Sequence, residues 1–158
     1  MADKKRTFLR IHMDEQTQRN LRNMKADRKR LGLSRKNLAD RLGVKYSAVA
    51  DYELGRNAPH LSRYLLLAEI LGWNIEDSAN YMFAHTTARY DLKKRARTYG
   101  LSTEELSRLT NFSQDTIENA LYMHKAGTVN GFAAILEVIQ EEERRSKLTQ
   151  ELTRKSKI

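Results

Sequence analysis

The side chains of this sequence best equipped for chemistry are its lysines and arginines, and that chemistry is neutralisation of phosphate rather than the making or breaking of bonds. The 158 residues carry 29 Lys and Arg against 20 Asp and Glu, a net charge of +9. Residues 1–75 hold 16 basic and 8 acidic side chains, residues 76–140 hold 7 and 8, and residues 141–158 hold 6 and 4. The excess is concentrated toward the N-terminus. A polyphosphate partner explains such a concentration, because each neutralised phosphate releases counterions. A basic surface kept for solubility is the alternative. Groups suited to catalysis or metal binding do not assemble. His12, His60, His85 and His124 show no ligand spacing. There is no Cys, hence no disulfide framework or thiol chemistry. No HExxH, P-loop or GxSxG pattern occurs. The acidic pair Glu104 and Glu105 fits a helix start, where the dipole favours carboxylates. An enzyme is therefore not expected, and neither a metal nor a cofactor is.

Basic side chains need a rigid carrier, and residues 31–59 have the pattern of one. Ser34 stands at a helix N-cap position, able to accept from an orphan backbone N–H. Leu38, Ala39 and Leu42 follow at helical spacing. Gly43 ends that helix, where a left-handed residue favours glycine. Val44 turns inward, and a second helix runs through Val49 and Tyr52. The spacing predicts helices over about 35–42 and 46–53. Two short helices on a Gly-bearing turn make a helix-turn-helix, whose second helix enters the DNA major groove.

From about Leu21 to Ile75 the sequence resembles the phage Cro and repressor helix-turn-helix family. The likeness rests on the Gly32-Leu33-Ser34, Leu38-Ala39 and Leu42-Gly43-Val44 core together with Arg28, Glu53, Gly55 and Pro59 in register. Leu65, Leu66, Ala68, Leu71 and Gly72 match the last core helices. The resemblance implies double-stranded DNA as partner and base contacts from Lys45, Tyr46 and Ser47, with Ala50 and Asp51 one turn later. Asp51 could equally orient Lys45 or Arg35. The resemblance also implies phosphate contacts from Arg35, Arg56 and Asn57. The basic arm over residues 1–13, with Lys4, Lys5, Arg6 and Arg10, either wraps into a DNA groove or has no role. Arg28 and Glu53 are implied to form a structural ion pair that fixes the second helix against the first.

The pattern then recurs at an offset of 68. Gly32-Leu33-Ser34 aligns with Gly100-Leu101-Ser102, Met24 with Leu92, Leu31 with Tyr99, Leu38 with Leu106, Val44 with Phe112, and Val49 with Ile117. Ser102 to Glu105 reads as a capping box, and Ser113 as the cap of a helix from Gln114 to about His124. Gly127 and Thr128 stop one helix and start another. Residues 88–139 thus read as a divergent second helix-turn-helix. Ala96 and Leu121 stand where the first copy has Arg28 and Glu53, an apolar exchange the fold tolerates. Gln114, Asp115, Glu118 and Asn119 occupy its reading positions. The two carboxylates repel phosphate, although Gln and Asn can read adenine. Lys93, Lys94, Arg95 and Arg97 lie just before. Dimerisation or partner binding and a second DNA reader both remain open.

Few Gly, one Pro and abundant Leu, Arg, Lys, Glu and Ala favour an all-α protein. The expected architecture is tandem helix-turn-helix, lambda-repressor-like domains with a C-terminal helix. A basic arm spans 1–13, a DNA-binding domain 14–84, a second domain 85–140 and a charged helical tail 141–158. One helix is expected from near Asp14 to Arg30, with Leu21, Met24, Arg28 and Leu31 on one side. Another follows over 61–71, and a third is capped by Asn74 and runs through Ile75, Tyr81, Met82 and Phe83. Trp73 reads as a core anchor. In the tail, Ile135, Val138, Ile139, Leu148 and Leu152 are apolar, but the stretch from Glu141 to Lys147 is too polar for a sustained coiled coil. The tail either packs its first half on the second domain and frays, or exchanges between subunits. No apolar run spans a membrane and no signal-peptide core is present, so a cytoplasmic, nucleoid-associated location is the expectation. The resemblance implies a homodimeric transcriptional repressor on a two-fold symmetric operator, by analogy one from a phage, plasmid or other mobile element. The rival expectation is a protein partner engaged through residues 85–158, as an antitoxin or coactivator bridge would use.

Overall fold

The computed structural model describes residues 9–122 and 129–156. They form ten helices and no strand, with a single antiparallel bridge between Arg10 and His60. The protein is all-α. The helices are α1 Glu15–Arg22, α2 Met24–Arg30, α3 Arg35–Leu42, α4 Tyr46–Leu54, α5 Leu61–Leu71, α6 Ala79–Ala84, α7 Thr86–Thr98, α8 Thr103–Thr110, α9 Gln114–Tyr122 and α10 Val129–Ser156. The chain divides into two compact units after Met82. Lys4, Lys5, Arg6, His124, Gly127 and Thr128 lie outside the described residues.

The first unit is organised by its helix ends. Ser34 Oγ accepts from Asn37 N at 3.0 Å and starts α3. Gly43, with φ +67°, ends it in the left-handed conformation that glycine adopts without a Cβ clash. Its N–H and that of Val44 return to the carbonyls of Asp40 and Ala39. α3 and α4 then close a core of Met24, Leu38, Ala39, Leu42, Val49, Tyr52, Leu67 and Leu71. Leu21, Val44, Ala48, Leu66, Ile70 and Trp73 pack on it partly buried. Trp73 also donates through Nε1 to Asp27 Oδ2 at 2.8 Å. A buried polar hub ties the segment before α1 to α6. Asn80 Oδ1 accepts from His12 N at 2.7 Å, and its Nδ2 donates to His12 O at 2.9 Å and Thr17 Oγ1 at 3.1 Å.

Several expectations need correction. The helix from Asp14 to Arg30 is two helices, broken at Asn23, whose ψ of 0° leaves the helical range. Asn is a weak helix former because its side chain competes for backbone groups. Leu31 does not join the buried side; it ends α2 at ψ 1° and is exposed. In α5 the buried leucines are Leu61, Leu67 and Leu71, while Leu65 and Leu66 are only half-buried. The third helix starts later than expected. Asn74 Oδ1 only closes a local turn with Glu76 N, and the cap is Ser78, whose Oγ accepts from Tyr81 N at 3.2 Å.

In the second unit α8 and α9 pack with α7 and α10. Ser102 Oγ accepts from Glu105 N at 3.1 Å and Ser113 Oγ from Thr116 N at 3.2 Å, so both serines cap their helices. Asn111 ends α8 at φ +64°, the left-handed geometry that Gly43 has 68 residues earlier. Leu92, Leu106, Ile117, Phe132, Ile135 and Ile139 are fully buried, and Phe83 meets Phe132 edge to face at 5.8 Å. Ala96 and Leu121 are buried as well. α10 is one continuous 28-residue helix whose last buried side chain is Ile139. Among the described residues no helix is long and apolar enough to cross a membrane.

Candidate nucleic-acid interface

α4 carries the residues singled out for base contact, and its two ends are treated differently. Lys45 occupies the N-cap in an extended conformation and makes no side-chain cap bond. Lys45, Tyr46 and Ser47 are exposed, Tyr46 by 54% although it is a large aromatic. Ala50 and Asp51 follow one turn later and are half-buried. Behind this face Val49 and Tyr52 are locked in the core.

At the far end the helix is held by an ion pair. Arg28 Nη2 donates to Glu53 Oε1 at 2.8 Å, and Nε reaches Oε1 and Oε2 at 3.1 and 3.3 Å. Arg28 Nη1 donates to Leu33 O at 2.9 Å, so one guanidinium joins α2, α4 and the approach to α3. The Glu53 side chain is 0% exposed and that of Arg28 7%. The fork geometry suits a guanidinium, which meets a carboxylate through several N–H groups at once.

Arg35 is drawn into the same cluster. Its Nε lies 3.4 Å from Glu53 Oε1. Hydrogen bonding to Tyr46, then to Glu53, raises its guanidinium above an already high ordinary value. The cluster of two guanidiniums and one carboxylate keeps one net positive charge beside the exposed turn of α4. Asp51 faces Arg56 across 3.9 Å. Arg56 and Asn57 are exposed in the loop after α4, and Asn57 Oδ1 accepts from Ala58 N at 3.0 Å. Lys45, Tyr46, Ser47, Arg35, Arg56 and Asn57 therefore lie on or beside α4, whereas Lys4, Lys5 and Arg6 fall outside the described residues.

Two residues that sequence reasoning passed over help to set this geometry. Arg63 of α5 donates through Nη1 to Leu42 O and so closes the last turn of α3 from outside the motif. Leu9 O accepts from Leu61 N at 2.7 Å, which, with the Arg10–His60 bridge, roots the N-terminal segment beside the start of α5. Arg63 lies among the leucines of α5, and nothing in its spacing signals a partner 21 residues away.

In the second unit Gln114, Asp115 and Glu118 are exposed on α9, and Asn119 is half-buried. Among the described residues no group of three or more His, Asp or Glu is placed to hold a metal ion.

No curated protein and no solved structure matches the chain. The helix-turn-helix family model matches residues 24–77, the stretch that runs from Met24 of α2 through α3, α4 and α5. That segment is a helix-turn-helix domain, a fold of DNA-binding transcription regulators.

Proposed function

We propose that this protein is a transcriptional repressor that binds a two-fold symmetric operator as a dimer. The observation that carries the reading is α4 itself. Its first turn presents a half-exposed Tyr46 between Lys45 and Ser47, while its last turn is fixed by a buried ion pair. A helix held so firmly at one end and left open at the other suits insertion into a major groove. Lys45, Tyr46, Ser47, Ala50 and Asp51 are the base-reading set. Lys45 reaches guanine acceptors, and Tyr46 donates to a base edge or packs on a thymine methyl. Arg35, Arg56 and Asn57 hold phosphates, which fix register without reading sequence. Lys4, Lys5 and Arg6 extend the phosphate contacts from the arm over residues 1–13. The DNA-binding domain spans 14–84, the second domain 85–140 and the tail 141–158. A DNA-bound regulator of this kind works in the cytoplasm on the nucleoid.

The second domain is a divergent helix-turn-helix that serves assembly. In support, α8 and α9 repeat the bounds of α3 and α4 at an offset of 68, with Ser102 capping as Ser34 does and Asn111 left-handed as Gly43 is. Asp115 and Glu118 stand exposed where a reader would face phosphate, which favours a dimer contact or a protein partner over a second reader.

Fluorescence anisotropy on duplexes of differing sequence tests the reading. Tyr46→Ala should narrow the spread of affinities between sequences while leaving the salt dependence nearly unchanged. Gln114→Ala should leave preference at both half-sites intact. A Tyr46→Ala protein with the full spread would remove α4 as the reader.

A further inference from the structure

Beyond Ile139 no side chain of α10 is buried, although Glu143 still pairs with Arg95 of α7. Ala134, Val138, Glu141, Arg145, Leu148 and Leu152 recur at alternating steps of three and four, which aligns them along one side of the helix. That side is opposite the one bearing the buried Phe132, Leu136 and Ile139. At its N-terminal end the stripe borders an open groove of about 510 Å³, with Leu109, Ala134 and Val138 as its apolar lining and the charged side chains of Glu137, Glu141, Glu142, Arg144 and Arg145 around them. Leu109 is 45% exposed there. At its other end Leu148 and Leu152 are exposed by 59% and 61%. Their own groove is out of reach, because α10 is unbroken and Val138 and Leu148 stand about 15 Å apart along it.

We infer that this stripe is the surface through which two copies of the chain associate, α10 against α10 in antiparallel orientation. The inference rests on the dimer reading above and supplies its contact. A two-fold axis level with residue 143 sets Arg145 opposite the partner's Glu141, Leu148 opposite the partner's Val138, and Leu152 opposite the partner's Ala134. Both leucine pairs then enter both grooves, so the interface is self-complementary and closed. Charge runs the same way. Residues 137–143 contain four Glu and no base, while residues 144–156 contain five Arg and Lys and one Glu. Antiparallel packing lays the acidic half of each helix along the basic half of the other. Parallel packing sets like charge against like. The polar centre rules out a long hydrophobic coiled coil and instead fixes the register of a short one.

Sedimentation equilibrium of the full chain, with and without duplex DNA, tests this. The wild type should be dimeric in both. Leu148→Glu with Leu152→Glu should weaken the dimer by more than about a hundredfold and leave helix content unchanged, since both side chains are exposed. Glu141→Arg alone and Arg145→Glu alone should each weaken it, and the double exchange should restore it. A dimer indifferent to all four changes would overturn this surface yet leave the dimer reading standing. A wild-type monomer with and without DNA would overturn both and leave the stripe to a different protein.

Discussion

Glu53 is the residue on which the exposed turn of α4 depends. Its side chain is wholly buried, it takes three bonds from Arg28, and it holds Arg35 beside Tyr46. Removing one partner of a buried pair leaves a charge without compensation. Glu53→Ala should therefore destabilise the first unit by about 3–5 kcal/mol, measured by urea denaturation. Replacing Arg28 and Glu53 together by Ala and Leu, the residues buried at the matching places of the second unit, should cost less than Glu53→Ala alone. An equal cost would mean that the ion pair contributes nothing beyond the volume it fills. Arg35 has a different test. Its charge is only partly offset by the shared carboxylate, so Arg35→Ala should weaken binding evenly across sequences and reduce the salt slope by about one. An unchanged slope would take Arg35 off the phosphate list and leave it as a support for Tyr46.

The elements were legible where local rules set them. Ser34, Ser102 and Ser113 cap as their sequence context predicts, and Gly43 and Gly55 end α3 and α4 in left-handed geometry. The two glycines offer a comparison. A Cβ at Gly43 would lie 3.3 Å from Arg63 Nη1, and one at Gly55 would meet open space. Gly55→Ala should cost only the left-handed strain, about 1–2 kcal/mol, and Gly43→Ala should cost more because it also displaces Arg63 from Leu42 O. Thermal unfolding of the two variants ranks them. What sequence did not give is the long-range polar wiring. Asn80 reaches back 68 residues to His12, and Tyr64 takes a bond from Asn20 at 3.2 Å across 44 residues. Neither leaves a periodic trace. Tyr64 has a measurable consequence. Burial raises its phenol, and that of Tyr52, above the ordinary value of 10.0. The neutral form is thus favoured in the folded state. Its contribution is complete below pH 10 and is lost as pH rises through the raised value. Stability should fall above about pH 10, and Tyr64→Phe should flatten that fall. A fall of unchanged steepness would assign it to other groups.

At the scale of the molecule, the uneven charge is legible in the sequence. Residues 1–75 carry the positive excess, and the family match falls within them apart from its last two residues. Phe83, the first residue of the second unit, is drawn to Phe132 by packing that no local pattern announces. A C-terminal helix is legible in the sequence, but the expected fraying of its second half is not observed, since α10 runs unbroken to Ser156. Its middle is too polar to read as buried, yet Glu141 holds Arg145 at 3.5 Å one turn on, and such pairs support an exposed helix. The measurement that tests the account most directly is selection of bound duplexes from a random library by the full chain, at about 0.15 M salt so that non-specific binding is suppressed. The account predicts one motif repeated as two inverted half-sites, lost when Lys45, Tyr46 and Ser47 are replaced by Ala. Two unlike adjacent half-sites, or no enriched motif from folded protein, would contradict it.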